Sequence, residues 1–155
     1  MEPNEIQGAL ASAVEEVLET MCFAGVLASA EGSAPPEADG VEPALAAELR
    51  FQGNPSGGFR VGASMRLARV VGAGFLGREE MEVTDTQAGE VVCELANMIC
   101  GSVLSRLESE AAFQISHPEL TPPGQGASCA VAAASRWFDL GDGILTVSLE
   151  LQQTV

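Results

Sequence analysis

One long amphipathic stretch constrains the fold more than any other feature of the sequence. Residues 88–109 (AGEVVCELANMICGSVLSRLES) place apolar side chains at three- and four-residue spacing, which is the period of an α-helix buried on one side. We predict that this is the longest helix of the chain. Its core stripe is expected to consist of Val91, Leu95, Met98, Ile99, Val103 and Leu107.

The other segments predict an α/β (α+β) fold in which long helices pack on a mainly antiparallel sheet. Residues 5–23 also have helical spacing, and Ser64 and Gly77 mark the start and the end of a further helix. Alternating residues on both sides of the turn GNPSGG indicate one hairpin, and SRWFDL, GDG and ILTVSLEL indicate a second one. A strand is expected at 111–116, ended by Pro118.

The length predicts a single domain over residues 1–155. Residues 29–44 (SAEGSAPPEADGVEPA) are rich in proline, glycine, alanine and acidic residues, which is typical of a flexible loop. We interpret them as a loop and not as a domain boundary, because too little chain precedes them to form a domain.

The charge composition excludes several chemistries. The chain carries 7 basic residues, all arginine, against 22 acidic ones, for a net charge of −15. Without lysine, Schiff-base chemistry and a P-loop are excluded, and a single histidine, His117, excludes a multi-histidine metal site. Nucleic acid is not expected as a partner, because its phosphates repel so acidic a chain.

The remaining composition favours a cytoplasmic protein. No apolar run approaches the roughly 20 residues of a membrane span, and the start of the chain lacks the basic region of a signal peptide. The four cysteines form no CxxC pair, so we expect free thiols and no metal site.

Positive charge is concentrated between Arg50 and Arg78, where five arginines occur without an acidic residue. We favour pairing of these arginines with acidic helices of the same fold, although a patch for a phosphate or an acidic partner is an alternative. His117 is expected at the surface. Of Trp137 and Phe138, one should face the core, and Trp137 could otherwise lie at an interface.

The side of the long helix opposite its core stripe carries the candidate site. Steps of four, three, four and four residues align five positions there: Glu90, Glu94, Asn97, Gly101 and Ser105. Glu94 and Asn97 lie one turn apart and should project together. Glycine inside a helix is less stable than alanine by about 1 kcal/mol, so a glycine at position 101 indicates a specific role, such as the close approach of another surface. From Glu-x-x-Asn alone, an ordinary solvated face is the better interpretation.

The sequence around this pair resembles the CheC/CheX family of chemotaxis phosphatases. The similar segments are ELANMICGSVLSRL, VLETMCF, the glycine-rich hairpin followed by a helix, and the closing hairpin, so that only the loop at 29–44 is excluded. Glu94 and Asn97 match the family's signature. Glu90 stands where the family usually has Asp or Ser, and Pro118 comes slightly early. A single such motif is closer to CheX than to the two-motif CheC proteins.

The resemblance implies a phosphatase that dephosphorylates a phospho-aspartyl response regulator with a CheY-like receiver domain. It implies that Asn97 orients the attacking water and that Glu94 pairs with the receiver's lysine, with Glu90, Gly101 and Ser105 as partner-binding positions. No cofactor of its own is expected, because the receiver supplies Mg²⁺. The resemblance also implies a homodimer joined edge to edge, which the apolar strand ILTVSLEL favours only loosely.

Two other interpretations stay open. The same fold could serve as a non-catalytic receiver-binding or scaffold module, as in the middle domains of flagellar switch proteins. An unrelated acidic scaffold would be favoured if Glu94 and Asn97 pointed into the core.

Overall fold

The computed structural model describes residues 3–32, 44–53, 56–108, 112–121 and 134–151. Its helices are α1 (Pro3–Met21), α2 (Met65–Leu76) and α3 (Asp85–Leu107), with a short 3-10 helix at Glu80–Glu82. Its strands are β1 (Ala28–Glu31), β2 (Ala44–Gln52), β3 (Gly57–Ser64), β4 (Gln114–Ile115), β5 (Glu119–Thr121), β6 (Ala134–Asp139) and β7 (Ile144–Leu151).

Within the described residues, the strands form one antiparallel sheet in the order β1-β6-β7-β3-β2-β4, and β5 also pairs with β2. Helix α3 lies over β2 and β3 and contacts both other helices. The predicted α/β fold with a mainly antiparallel sheet is therefore confirmed.

The local signals at α2 act as predicted. The side-chain oxygen of Ser64 accepts a hydrogen bond from the Leu67 backbone N–H and so caps the first turn. Gly77 ends the helix in the left-handed conformation at φ 67°, which glycine adopts without a steric penalty.

Helix α3 buries most of the predicted stripe. Val91, Leu95, Ile99 and Val103 are at most 3% exposed, whereas Met98 and Leu107 are only partly buried at its margin. Among the described helices, α3 is long and apolar enough to span a membrane by length and composition alone. Core helices pass the same test, and α3 is the central helix of this core.

Three predictions about strands are corrected. Residues 28–31 form β1, so the predicted loop begins later than residue 29, and its residues 33–43 lie outside the described part. Of the strand expected at 111–116, residue 111 lies outside the described part and only Gln114–Ile115 of the rest form a strand, and pairing resumes after Pro118 in β5. The strand ILTVSLEL is no edge, because β7 is hydrogen-bonded to β6 on one side and to β3 on the other. It therefore gives no physical support for an edge-to-edge dimer.

The aromatic pair on β6 divides as predicted. Phe138 is fully buried, and Trp137 lies on the other side of the strand, where it is half-buried.

Three arginines of residues 50–78 form ion pairs within the fold. Arg69 pairs with Asp85 of α3, Arg60 with Glu48 of β2 at 3.3 Å, and Arg66 with Asp142 at 3.9 Å. Internal pairing is thus confirmed for these three, although only Asp85 belongs to a helix.

Candidate functional site

The candidate site lies on the solvent side of α3. Thr84 and Gln87 begin this helix with a reciprocal capping box: Gln87 N–H donates to Thr84 Oγ1 at 3.1 Å, and Thr84 N–H donates to Gln87 Oε1 at 3.0 Å. At the other end of α3, Arg106 pairs with Glu16 of α1. The capping box determines where α3 begins, while the Arg69–Asp85 and Arg106–Glu16 ion pairs connect its two ends to α2 and α1.

The structure places the five predicted site residues along one face. Glu90, Glu94, Asn97 and Ser105 are exposed, and Gly101 is partly buried. Glu94 and Asn97 are separated by about 4.5 Å along the helix axis, so a ligand between them could touch both side chains. An unrelated acidic scaffold would be favoured if Glu94 and Asn97 pointed into the core. Both side chains are exposed, so this interpretation is not favoured.

Negative charge is concentrated on this face. Burial raises the pKa of the Cys93 thiol, and the carboxylates of Glu94 and Glu90 raise it further. A thiol in this environment stays protonated and is a poor nucleophile. The face can therefore offer carboxylates and an amide to a ligand, but no activated thiol.

Gly101 has no side chain and so leaves a shallow depression, a low point, on this face. A methyl group placed on its Cα would meet only Ile115 Cδ1, at 4.0 Å, which is an ordinary van der Waals separation. Packing within the described part of the chain does not require glycine there. Gly89 differs, because a methyl group on it would come within 2.7 Å of Leu120 Cδ1.

The strands β4 and β5 flank the helix, which the sequence analysis missed because it ended the strand at Pro118. Ile115 of β4 lies beside Gly101, and Leu120 of β5 lies beside Gly89. The sequence signal is ambiguous, since proline occurs at bulges of edge strands as well as at strand ends, and Glu-Leu-Thr follows it. His117, which precedes the proline, is exposed as predicted.

The described residues contain no group of three or more histidine, cysteine, aspartate or glutamate side chains arranged to hold a metal ion. Three of the four cysteines, Cys22, Cys93 and Cys100, fall in the described part and are free thiols, as predicted.

The family model for the chemotaxis phosphatase CheX matches residues 45–137, which is more than half of the chain. This chain belongs to the CheX family. The match spans β2 to β6 and therefore includes α3 with Glu94 and Asn97. A comparison with curated proteins found no match.

Solved structures of CheX proteins have the same fold. The chain is similar to CheX from Desulfovibrio desulfuricans, with 21% identity, a TM-score of 0.72, and coverage of 96% of this chain and 99% of that one. It is equally similar in fold to the CheX–CheY–BeF₃–Mg²⁺ complex from Borrelia burgdorferi, with 17% identity, a TM-score of 0.72, and coverage of 94% and 97%.

The fold extends beyond the CheX proteins. The FliM middle domain from Vibrio alginolyticus matches with 12% identity and a TM-score of 0.61, covering 96% of this chain and 92% of that one. Membership of the CheX family therefore rests on the family match, and the structural likeness establishes the fold.

Proposed function

We propose that this protein accelerates the hydrolysis of the phospho-aspartate of a CheY-like receiver domain. The observation that carries the proposal is the joint exposure of Glu94 and Asn97 on adjacent turns of α3, in a chain of a phosphatase family. The CheX–CheY–BeF₃–Mg²⁺ complex supports a receiver as the partner.

The chemistry requires little from the phosphatase itself. A phospho-aspartate is an acyl phosphate, and its hydrolysis needs a water in line with the phosphorus atom and compensation of the phosphoryl charge. The receiver's own Mg²⁺ and lysine supply that compensation in this proposal. A protein without lysine can therefore act on it, provided that it positions the water.

Asn97 suits the positioning of a water. Its amide offers both a donor and an acceptor, so it can orient one water molecule in two directions without removing its proton. Glu94, one turn earlier, is suited to pair with the receiver's lysine and so to fix the position of α3 against the receiver. Glu90, Gly101 and Ser105 extend the same face as docking positions.

A non-catalytic receiver-binding or scaffold module is the second candidate, and the likeness to the FliM middle domain favours it. The two candidates differ in whether Glu94 and Asn97 alter the lifetime of the phosphoryl group. A cytoplasmic location and a homodimer also remain proposals.

The decisive experiment follows the decay of phosphorylated receivers from the same organism, in Mg²⁺, with and without the protein. We expect faster decay with the wild type and loss of most of that gain with Asn97→Ala, about tenfold or more. Absence of acceleration with every receiver tested would remove the phosphatase proposal and leave the binding module.

Glu94→Ala tests the pairing with the receiver's lysine. A charge-assisted hydrogen bond contributes about 1.5–3 kcal/mol, so the concentration needed for half-maximal acceleration should rise about tenfold or more. Glu15→Ala, which removes an exposed glutamate of α1, is the matched control and should have no effect. Unchanged affinity and turnover in Glu94→Ala would contradict the pairing.

A further inference from the structure

An extra residue interrupts the pairing of β2 with the β4–β5 segment. Phe51 of β2 is opposite Ile115, whereas Ala47 is opposite Leu120. Four steps along β2 thus correspond to five steps along the partner. The extra residue is a β-bulge, and β-bulges redirect side chains and are frequent beside functional sites.

The bulge lies at His117 and Pro118. The backbone N–H of Ser116 donates to Arg50 O at 2.8 Å, and Glu119 is opposite Glu48. His117 and Pro118 together are therefore opposite the single residue Leu49. Leu49 is buried under the helices, so the bulge lies on the side of the sheet that faces α3.

The extra residue also determines which side chains face α3. In a regular strand, residues 115 and 120 would point to opposite faces of the sheet. With the bulge, the side chains of both Ile115 and Leu120 reach α3, at Gly101 and at Gly89 respectively. The β4–β5 segment therefore runs along the helix, antiparallel to it, between these two contacts.

Asn97 lies between the same two contacts. Asn97 is eight residues after Gly89 and four before Gly101, so it lies two thirds of the way between them along the helix axis. Around the axis, its direction also lies two thirds of the way from that of Gly89 to that of Gly101. Two thirds of the way from Leu120 back to Ile115 falls between His117 and Ser116. Interpolation between the two contacts thus puts the bulge, and His117 with it, level with Asn97 along α3.

We infer that His117 is a second receiver-contact residue, which donates an imidazole N–H to an oxygen of the phosphorylated receiver next to the site of Asn97. This inference rests on the proposed function. His117 is exposed and on the helix side of the sheet edge, so a receiver that reaches Asn97 must pass beside it. The side chain of Pro118 is apolar, so the imidazole is the polar side chain of the bulge.

The first test is the affinity for a receiver loaded with BeF₃⁻ and Mg²⁺, which mimics the phosphorylated form without turnover. We expect His117→Ala to raise the Kd about fivefold, which corresponds to the loss of one hydrogen bond. His117→Gln, which keeps an N–H donor, should restore the Kd to within about twofold of the wild type. A role limited to the fold of the bulge would not show this rescue.

Gln114→Ala is the matched control. Gln114 is an exposed residue of the same segment, but its register partner is Gln52, on the face of the sheet away from the helices. We expect an unchanged Kd. Weakened binding in Gln114→Ala equal to that in His117→Ala would overturn the inference.

A second measurement needs no variant. His117 is the only histidine of the chain, so selective isotope labelling of histidine gives a single imidazole signal set. Addition of the unlabelled loaded receiver should shift these signals. Unshifted signals in a saturated complex would overturn the inference.

The outcomes separate the two proposals. If the protein accelerates hydrolysis but the imidazole signals do not shift, the role of His117 is wrong and the phosphatase proposal stands. If the receiver binds and shifts the imidazole signals but hydrolysis is not accelerated, the phosphatase proposal is wrong and the contact with His117 stands. Failure to bind any loaded receiver overturns both.

Discussion

Gly101→Ala should make the protein more stable and its docking weaker. The substitution adds one methyl group to the exposed face of α3, between Asn97 and Ser105. Ile115 Cδ1, at 4.0 Å from the added carbon, is the single nearby atom in the described part of the chain, so no neighbour has to move. The methyl group would, however, occupy the low point that an approaching receiver could use.

The magnitude follows from helix propensity. Alanine is favoured over glycine inside a helix by about 0.5–1 kcal/mol, chiefly because glycine loses more backbone entropy on folding. For a chain of this size, 1 kcal/mol corresponds to a rise in the melting temperature of about 2–4 °C. Gly8→Ala in α1 is the matched control, because a methyl group there meets nothing within 4 Å.

Thermal unfolding and receiver binding, measured on both variants, test the reasoning. We expect both variants to melt at a higher temperature, and only Gly101→Ala to bind the BeF₃⁻-loaded receiver more weakly. A destabilised Gly101→Ala would refute the packing argument. Unaltered binding would show that no surface approaches this position closely.

Two further predictions concern stability. Gly74→Ala in α2 should lower the free energy of unfolding by about 1–3 kcal/mol, because the added methyl group would overlap the backbone oxygen of Cys22, which cannot rotate away as a side chain can, and denaturant unfolding would measure it. Burial raises the pKa of Cys22 to about 11 and that of Cys100 to about 12, above the ordinary value of 9.0. The unfolded chain then releases thiol protons first as the pH rises, so stability should fall from pH 9 up to these values, by about 1.4 kcal/mol per pH unit for each thiol. No lysine or tyrosine titrates in that window, and Cys22→Ala should reduce the slope of unfolding free energy against pH.

The helices could be predicted from the sequence because their signals are local. Ser64 and Gly77 determine where α2 begins and ends through side-chain capping and a left-handed backbone, and both effects act within a few residues. The face of Glu94 and Asn97 follows from helical periodicity in the same way.

The edge of the sheet could not be predicted, because its signals are not local. Strand β1 depends on pairing with β6, more than a hundred residues later, and its own four residues, Ala-Ser-Ala-Glu, include no large apolar side chain and no buried position. The interior position of β7 depends on partners on both sides. The contact of β5 with α3 depends on a single bulge residue, and a proline in the sequence does not distinguish a bulge from the end of a strand.

The pairing of β1 with β6 has a consequence for the synthesis of the protein. Gln7 of α1 donates a hydrogen bond to the backbone oxygen of Ser135, 128 residues away, and β1 forms its ladder with β6 alone in the described sheet. At about 5–20 residues per second, the ribosome needs roughly 5–20 s between Glu31 and Ala134. During that interval the apolar side of α1 lacks its contact with β6, so α1 and β1, although made before the other elements described here, are among the last to complete their contacts.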